Sequence, residues 1–336
     1  MKRIVLCVLL AAVMILTACG VKKTTENGGR PDPLPDGDAI TAIDHCAVEP
    51  DERRVMSDSD MEMYRRLMDA VLERRTKVKL GADVQKTAFL IDLLRESPYG
   101  FFVSDYEMTS GSMSLSYTYS ERRQKMMLEL MDSELLKIVN HQFEPDDNEL
   151  DIILKIYHAV TQKLTYDHTR TDNKEVGSPL FDHPGDEVYK ALRDNKALCY
   201  GYANVLRFAL LQRGIECYCV HGECKANKMG HEWVIFKYKG KYYHCDPAWD
   251  RAEDGESKLM HFGTTDGVRE SETVIPRPFS EYHTQGSETP VCDDGRFDGL
   301  RGITYFYAIG DHRFYLEDGD EKAFYYDTVT GMIDDG

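Results

Sequence analysis

Three observations predict an α+β protein. Apolar residues recur at helical spacing in successive stretches between Met61 and Arg213, each with charged residues on the intervening positions. β-forming residues concentrate between Phe101 and Tyr119, between His231 and Pro247, and in the tail from Gly302 to Met332. The first two of these β-rich stretches are interrupted by Gly111 and by Lys239-Gly240, where a hairpin would turn. Composition sets the outer limits. The 336 residues exceed one typical domain of ~150, and 42% hydrophobic with 29% charged residues exclude wholesale disorder. Lys and Arg number 41 against 58 Asp and Glu, and the resulting −17 opposes approach to a phosphate backbone, so nucleic acid is excluded as a partner class.

Lys2-Arg3 precedes a thirteen-residue apolar run, Ile4 to Leu16, which is short of the ~20 residues of a spanning helix and predicts an export signal. It ends in Leu16-Thr17-Ala18-Cys19, which resembles the bacterial lipobox. Residues 1–18 are then a lipoprotein signal peptide, and Cys19 is the thiol that accepts the lipid. The expected location is the extracytoplasmic face of a bacterial membrane, with the membrane itself as a partner through that lipid. Removing residues 1–18 takes away two positive charges, leaving −19. Residues 19–48, with Asn27-Gly28-Gly29 and Pro31-Asp32-Pro33-Leu34-Pro35, are polar and Pro-rich and read as a flexible tether.

Residues 49–145 form an N-terminal α/β module. Helices are expected over Met61–Arg74, over Val84–Arg95 where Ser97-Pro98 closes it, and from Ser120 to about Val139, with the Phe101–Tyr119 hairpin between the last two. No His, Cys and acid grouping in this module suggests chemistry. Glu144-Pro145-Asp146-Asp147 marks the boundary to a core over 146–290, which opens with a helix from Ile152 to Leu164 and continues with Asp186–Arg193 and Cys199–Arg213. The last 46 residues, 291–336, are a β-rich extension in which aromatic and polar residues alternate.

The chemistry concentrates in the core. Cys199 opens a stretch in which Tyr202, Val205, Leu206, Ala209 and Leu210 recur at helical spacing, and Arg213-Gly214 signals its end. A thiol at a helix N-terminus faces backbone N–H groups that favour a thiolate and can hold an oxyanion, which suits a nucleophile. Downstream, Lys239-Gly240 joins two β-runs. With Tyr238 opposite Lys241, Asp246 falls opposite Trp233 and diagonal to His231 on one face, where a carboxylate can orient an imidazole. Of nine cysteines, Cys7 leaves with the signal and Cys19 takes lipid. The remaining seven are an odd number, which points to at least one unpaired thiol.

These segments together resemble the transglutaminase-like superfamily of papain-related cysteine enzymes, in particular its bacterial exported branch. The matching pieces are Lys196-Ala197-Leu198-Cys199-Tyr200-Gly201-Tyr202-Ala203, Arg213-Gly214-Ile215-Glu216-Cys217, Gly230-His231-Glu232-Trp233 and Tyr242-Tyr243-His244-Cys245-Asp246-Pro247-Ala248-Trp249-Asp250, with Lys163-Leu164-Thr165-Tyr166-Asp167 upstream. The resemblance covers about residues 150–270. It implies a nucleophile helix packed on an antiparallel sheet, with Cys199 as nucleophile, His231 as general base and acid, and Asp246 as the orienting carboxylate. The implied activity is on amide bonds of peptides or proteins, envelope peptides among them, through an acyl-thioester and without a cofactor. Val234 departs from the asparagine that many relatives carry, although alternation turns it to the hairpin face opposite His231. A module that keeps the fold for binding, without turnover, is the alternative. Cys217, Cys219, His221 and Cys224 are too spread along one strand for a tetrahedral metal site without a sharp bend, so no metal is expected; disulfides of unassigned connectivity among Cys46, Cys217, Cys219, Cys224, Cys245 and Cys292 are the favoured state, with small apolar core residues as the alternative in a reducing habitat.

Overall fold

The computed structural model describes residues 38–80, 83–109, 111–172, 184–251, 256–277 and 288–335, and its architecture is α+β. The signal peptide, Cys19 and the first part of the tether lie outside the described residues. Among those that are described, no helix is long and apolar enough to cross a membrane.

The N-terminal part runs α1 (Pro50–Val55), α2 (Asp58–Leu72), β1 (Lys77–Lys79), α3 (Val84–Glu96), β2 (Val103–Thr109), β3 (Ser112–Tyr117) and α4 (Glu121–Val139). The starts are set by local chemistry: Ser57 and Asp60 form a capping box at α2, Asp83 caps α3, and the Ser120 hydroxyl accepts the Arg123 N–H at α4. The strands make a three-stranded antiparallel sheet in the order β1-β3-β2. The chain continues through α5 (Glu149–Lys163), β4 (Thr165–Tyr166), α6 (His168–Asp172), α7 (Pro184–Asp194), β5 (Lys196–Ala197) and α8 (Cys199–Gln212). Next come β6 (Cys217–Cys224), β7 (Gly230–Tyr238), β8 (Lys241–Cys245), β9 (Phe262–Thr264), α9 (Asp266–Glu272) and β10 (Thr273–Val274). The tail adds β11 (Ile303–Gly310), β12 (Arg313–Asp318), β13 (Ala323–Asp327) and β14 (Ile333–Asp335), a meander with the order β11-β12-β13-β14.

The central element is a five-stranded antiparallel sheet ordered β10-β6-β7-β8-β9, buried on both faces. Alternation along β6 and β7 sends Cys217, Cys219, Val234 and Phe236 into the large core shared with Val205, Leu206, Ala209 and Leu210 of α8. Tyr218, Val220, Trp233 and Ile235 fill a second cluster on the other face with Ile275 and Cys292. The large core runs from Ile43 to Tyr326, so it draws on the N-terminal part, the sheet and the tail alike. The β7–β8 turn is the feature that sets the site's register. Lys239 and Gly240 both take positive φ, 47° and 79°, the turn whose twist matches an antiparallel pair. Tyr238 then lies opposite Lys241 and Val234 opposite Cys245, the pairing the sequence predicts.

Two expectations are corrected. The tether was expected to reach residue 48, yet residues 38–48 lie against the core. The Ile40 amide and carbonyl bond the Asn140 side chain, the Arg213 guanidinium reaches the Asp38 carbonyl, and Ile43 is buried. The few apolar residues in a polar stretch suffice because long-range partners take up its backbone groups. Nor do disulfides form: all seven described cysteines are thiols. Cys217 and Cys219 share a face of β6, where neighbours stand ~6–7 Å apart, whereas a bridge needs Cβ atoms at ~3.5–4.5 Å. Cys217, Cys219 and Cys245 instead serve as small apolar core residues.

Glu49, just before α1, ties this segment to α8. Its carboxylate accepts from Arg207 Nη1 at 2.9 Å and from the Cys219 amide at 3.0 Å, and both side chains of the ion pair are buried. Glu49→Ala is expected to lower the unfolding free energy by about 1–3 kcal/mol, because buried Arg207 Nη1 and the Cys219 N–H lose their acceptor while Glu96 still faces the Arg207 charge. Urea denaturation measures it, and a midpoint unchanged from wild type would refute the tie.

Candidate active site

The short parallel pair β4–β5 brings Tyr166 level with Ala197, two residues before Cys199. Leu198 is the N-cap of α8 and supplies no side-chain cap, so no capping side chain competes for the N–H groups around Cys199. The Tyr166 hydroxyl lies within hydrogen-bonding reach of the Cys199 amide, and burial, followed by the charges of Cys199 and Asp246, pushes that phenol well above its ordinary range. Cys199 is only partly buried.

His231 stands near the start of β7, and Asp246 directly follows the last residue of β8. The register turns both to one side: His231 Nε2–H donates to Asp246 Oδ2 at 2.6 Å, with both side chains buried. The same imidazole lies within hydrogen-bonding reach of the Cys199 side chain. With Nε2 committed to the carboxylate, Nδ1 is the nitrogen left to face the thiol. Burial alone would lower the imidazole's pKa. The Asp246 charge, its hydrogen bond and the Cys199 side chain outweigh that and raise it to about 10.

Asp246 is the most heavily committed residue of the site. Oδ1 accepts the Ala248 and Trp249 amides at 3.2 Å each, which shapes the turn after β8, while Oδ2 accepts both His231 and Arg269 Nη2, the latter at 2.8 Å. Burial would raise its pKa, but the charges of His231 and Arg269 hold the carboxyl well below the usual carboxylate range. The turn places the Trp249 ring flat on His231, with centroids 4.4 Å apart and planes 16° from parallel. Next along the chain, Asp250 accepts the Tyr157 hydroxyl at 2.7 Å and His261 Nδ1–H at 2.9 Å, fastening this turn to α5 and to the start of β9.

The structure therefore brings Cys199, His231 and Asp246 together. Arg269, which carries no signal in the sequence, lies on α9 with its guanidinium 4.2 and 4.4 Å from the ring centres of Trp233 and Trp249. These are the chain's only two tryptophans, and both lie in the stretches singled out for other reasons. Gly222, opposite His231 in the ladder, makes room for this arrangement: a Cβ there would sit 2.5 Å from the Trp233 ring. Val234 is wholly buried on the α8 side and supports the site by packing.

His244, Asp266 and Cys292 put one nitrogen, one oxygen and one sulfur within 4.8 Å of one another. Their hydrogen bonds argue against a metal. The Trp233 indole N–H donates to His244 Nδ1 at 2.9 Å, so the imidazole's proton is on Nε2, where it is given to Asp266 at 2.9 Å. A metal at Nε2 would require an imidazolate. The chain Trp233–His244–Asp266 instead fixes the indole ring under Arg269.

The model of the transglutaminase-like superfamily matches residues 137–247. A comparison with curated proteins finds no match. Among solved structures, a TGase is similar at 14% identity and a TM-score of 0.33, over 67% of this chain and 63% of that one. A candidate cysteine protease from Cytophaga hutchinsonii is similar at 12% identity and a TM-score of 0.27, over 43% of this chain and 61% of that one. The chain thus spans about three fifths of the length of each of these two structures. Over residues 137–247, which hold Cys199, His231 and Asp246, this chain carries a domain of the transglutaminase-like superfamily.

Proposed function

We propose that this chain is a lipid-anchored cysteine enzyme that cleaves or transfers peptide and protein amide bonds through an acyl-thioester on Cys199. The observation that carries the reading is His231, held on Nε2 by a buried carboxylate and within hydrogen-bonding reach of a thiol at a helix start. In the mechanism this supports, His231 Nδ1 takes the proton of Cys199 Sγ, and the thiolate adds to the amide carbonyl carbon. The new oxyanion is received at the α8 N-terminus, by the Cys199 amide and the Tyr166 O–H beside it. Collapse breaks the C–N bond as the imidazolium gives its proton to the leaving amine. Water, deprotonated by the same imidazole, then releases an acid; an amine in its place yields a new amide. Asp246 stays ionised throughout and keeps the ring oriented.

Peptides or proteins of the cell envelope are the substrates that a lipid anchor at Cys19 would offer. The anchor is supported by the thirteen-residue apolar run and the Leu16-Thr17-Ala18-Cys19 sequence that ends it. Cys19→Ser is expected to abolish metabolic labelling by fatty acid; labelling that persists in the variant would remove the anchor from the proposal.

The catalytic reading is tested with intact protein, peptide libraries and amine donors, with products and Cys199 adducts followed by mass spectrometry. Turnover should vanish in Cys199→Ala and His231→Ala. Asp246→Ala should leave residual activity lower by about 10²–10⁴-fold, because the thiol remains while the imidazole loses its orientation. Iodoacetamide at neutral pH should label Cys199 ahead of the other thiols, which are largely buried. If Cys199 labels no faster than they do and His231→Ala leaves its rate unchanged, a binding module becomes the better reading.

A further inference from the structure

Arg269 is built into the site in a way that structural tethering does not account for. Arg213, another buried arginine, shows what tethering looks like: its Nε, Nη1 and Nη2 bond the Val139 carbonyl, the Asp38 carbonyl and the Asn140 side chain at 2.7 to 3.0 Å. Arg269 is as deeply buried, with 1% of its surface exposed, but only Nη2 is hydrogen-bonded among the described residues. Its acceptor is Asp246 Oδ2, the oxygen that also holds His231; Nε and Nη1 have no partner there. Two indole faces supply the rest of its stabilisation, and one of these indoles is itself pinned by His244. The arrangement directs a full positive charge at one carboxylate oxygen and ties down little else.

We propose, building on the catalytic reading above, that Arg269 is a positioning residue that neutralises Asp246, so that His231 holds a proton only when that proton comes from Cys199. The buried site has to balance its charge. Asp246 alone would hold an imidazolium beside a neutral thiol, a state in which neither nucleophile nor base is ready. With Arg269 against it, the carboxylate still orients the ring, but the pair Arg269–Asp246 carries no net charge. A lone imidazolium is then a buried uncompensated cation, whereas imidazolium beside thiolate is neutral overall. Moving one proton from Cys199 Sγ to His231 Nδ1 creates the reactive pair with no proton taken from solvent.

Of the other groups facing the site, His261 also acts on Asp246 and favours its charged form, as Arg269 does. From the start of β9, His261 gives Nδ1–H to Asp250 and sets Nε2 3.5 Å from Glu272, so its charge is matched locally. Tyr157 donates to Asp250, and Tyr166, on the Cys199 side, is held neutral by burial. Among the influences on His231, burial opposes the charged form, Asp246 favours it most, and Cys199 adds to that.

The decisive experiment is made on the wild-type protein. Wild-type protein is alkylated at Cys199 with iodoacetamide, and the His231 ring is titrated by ¹⁵N NMR, its signal identified by its loss in His231→Ala. With the thiolate gone, the His231 midpoint is expected to fall to its ordinary value of ~6.5 or below. A midpoint that stays above about 8 would mean that Asp246 holds the imidazolium unaided, and would overturn the proposal. Variants give an independent reading from the pH profile of kcat/KM. Arg269→Gln should move both limbs upward by about one pH unit, since loss of a cation favours protons at both groups. Asp246→Asn should move them downward, the double variant should return them toward wild type, and Arg269→Lys, which keeps the charge, should leave them near wild type. Limbs that stay fixed while activity falls would reduce Arg269 to a structural residue. Failure of Cys199 to alkylate ahead of the other thiols would count against the catalytic reading itself, whereas an alkylated protein whose His231 stays charged counts only against the role of Arg269.

Discussion

A single carboxylate oxygen organises this site. Asp246 Oδ2 accepts from His231 and from Arg269, while Oδ1 shapes the turn that lays Trp249 on the imidazole and against the guanidinium. Isolating such an ion in a protein interior would cost several kcal/mol, and removing one partner of a buried pair characteristically costs 3–5 kcal/mol. Four donors, one of them the Arg269 cation, compensate Asp246 here, which is why it is charged and wholly buried at once. Everything that positions those donors is therefore part of the site, even where it is far from the thiol.

The scaffold meets this demand through register. A two-residue turn with positive φ at Lys239 and Gly240 leaves no freedom in which residue of β8 opposes which residue of β7. A slip by one position would turn Asp246 toward α8, where Val234 and Phe236 pack, and would bury a carboxylate among apolar groups. The hydrophobic alternation of β7 and the chemistry of its last turn thus enforce the same pairing, and the functional geometry is a by-product of a register the core already requires.

This is also why so much was legible in the sequence. The helix opening at Cys199, the Lys239-Gly240 hairpin and the diagonal relation of His231 to Asp246 depend on periodicity and turn chemistry over short stretches, which residues declare locally. Arg269 does not declare itself. It sits on a seven-residue helix too short for a periodic signal, and it reaches Asp246 across 23 positions of chain, so only the folded structure reveals the contact. Tyr166 was visible as part of a motif but not as a neighbour of Cys199, because a two-residue parallel pairing leaves no pattern. Residues 38–48 read as tether because their composition is polar; their order comes from Asn140 and Arg213, 100 and 175 positions away. The cysteines divide for a similar reason: an export-type leader favours bridges among them, while the sheet needs small apolar side chains at Cys217, Cys219 and Cys245, the alternative the sequence left open.

The same helix links the site to the segment that leads toward the N-terminus. Arg207 lies eight residues beyond Cys199 on α8 and is bound by Glu49, whose carboxylate also takes the Cys219 amide on β6. Asn204, between the two, donates to Glu232, the neighbour of His231 in β7. Helix α8 is thus fixed to the sheet by polar contacts at Glu232 and Cys219 as well as by its apolar face, and Glu49 is the residue through which the N-terminal segment joins that lattice. Since the distance of the Cys199 thiol from the imidazole depends on how α8 sits on β7, the residues before α1 belong to the support of the thiol, although they are remote from it in sequence.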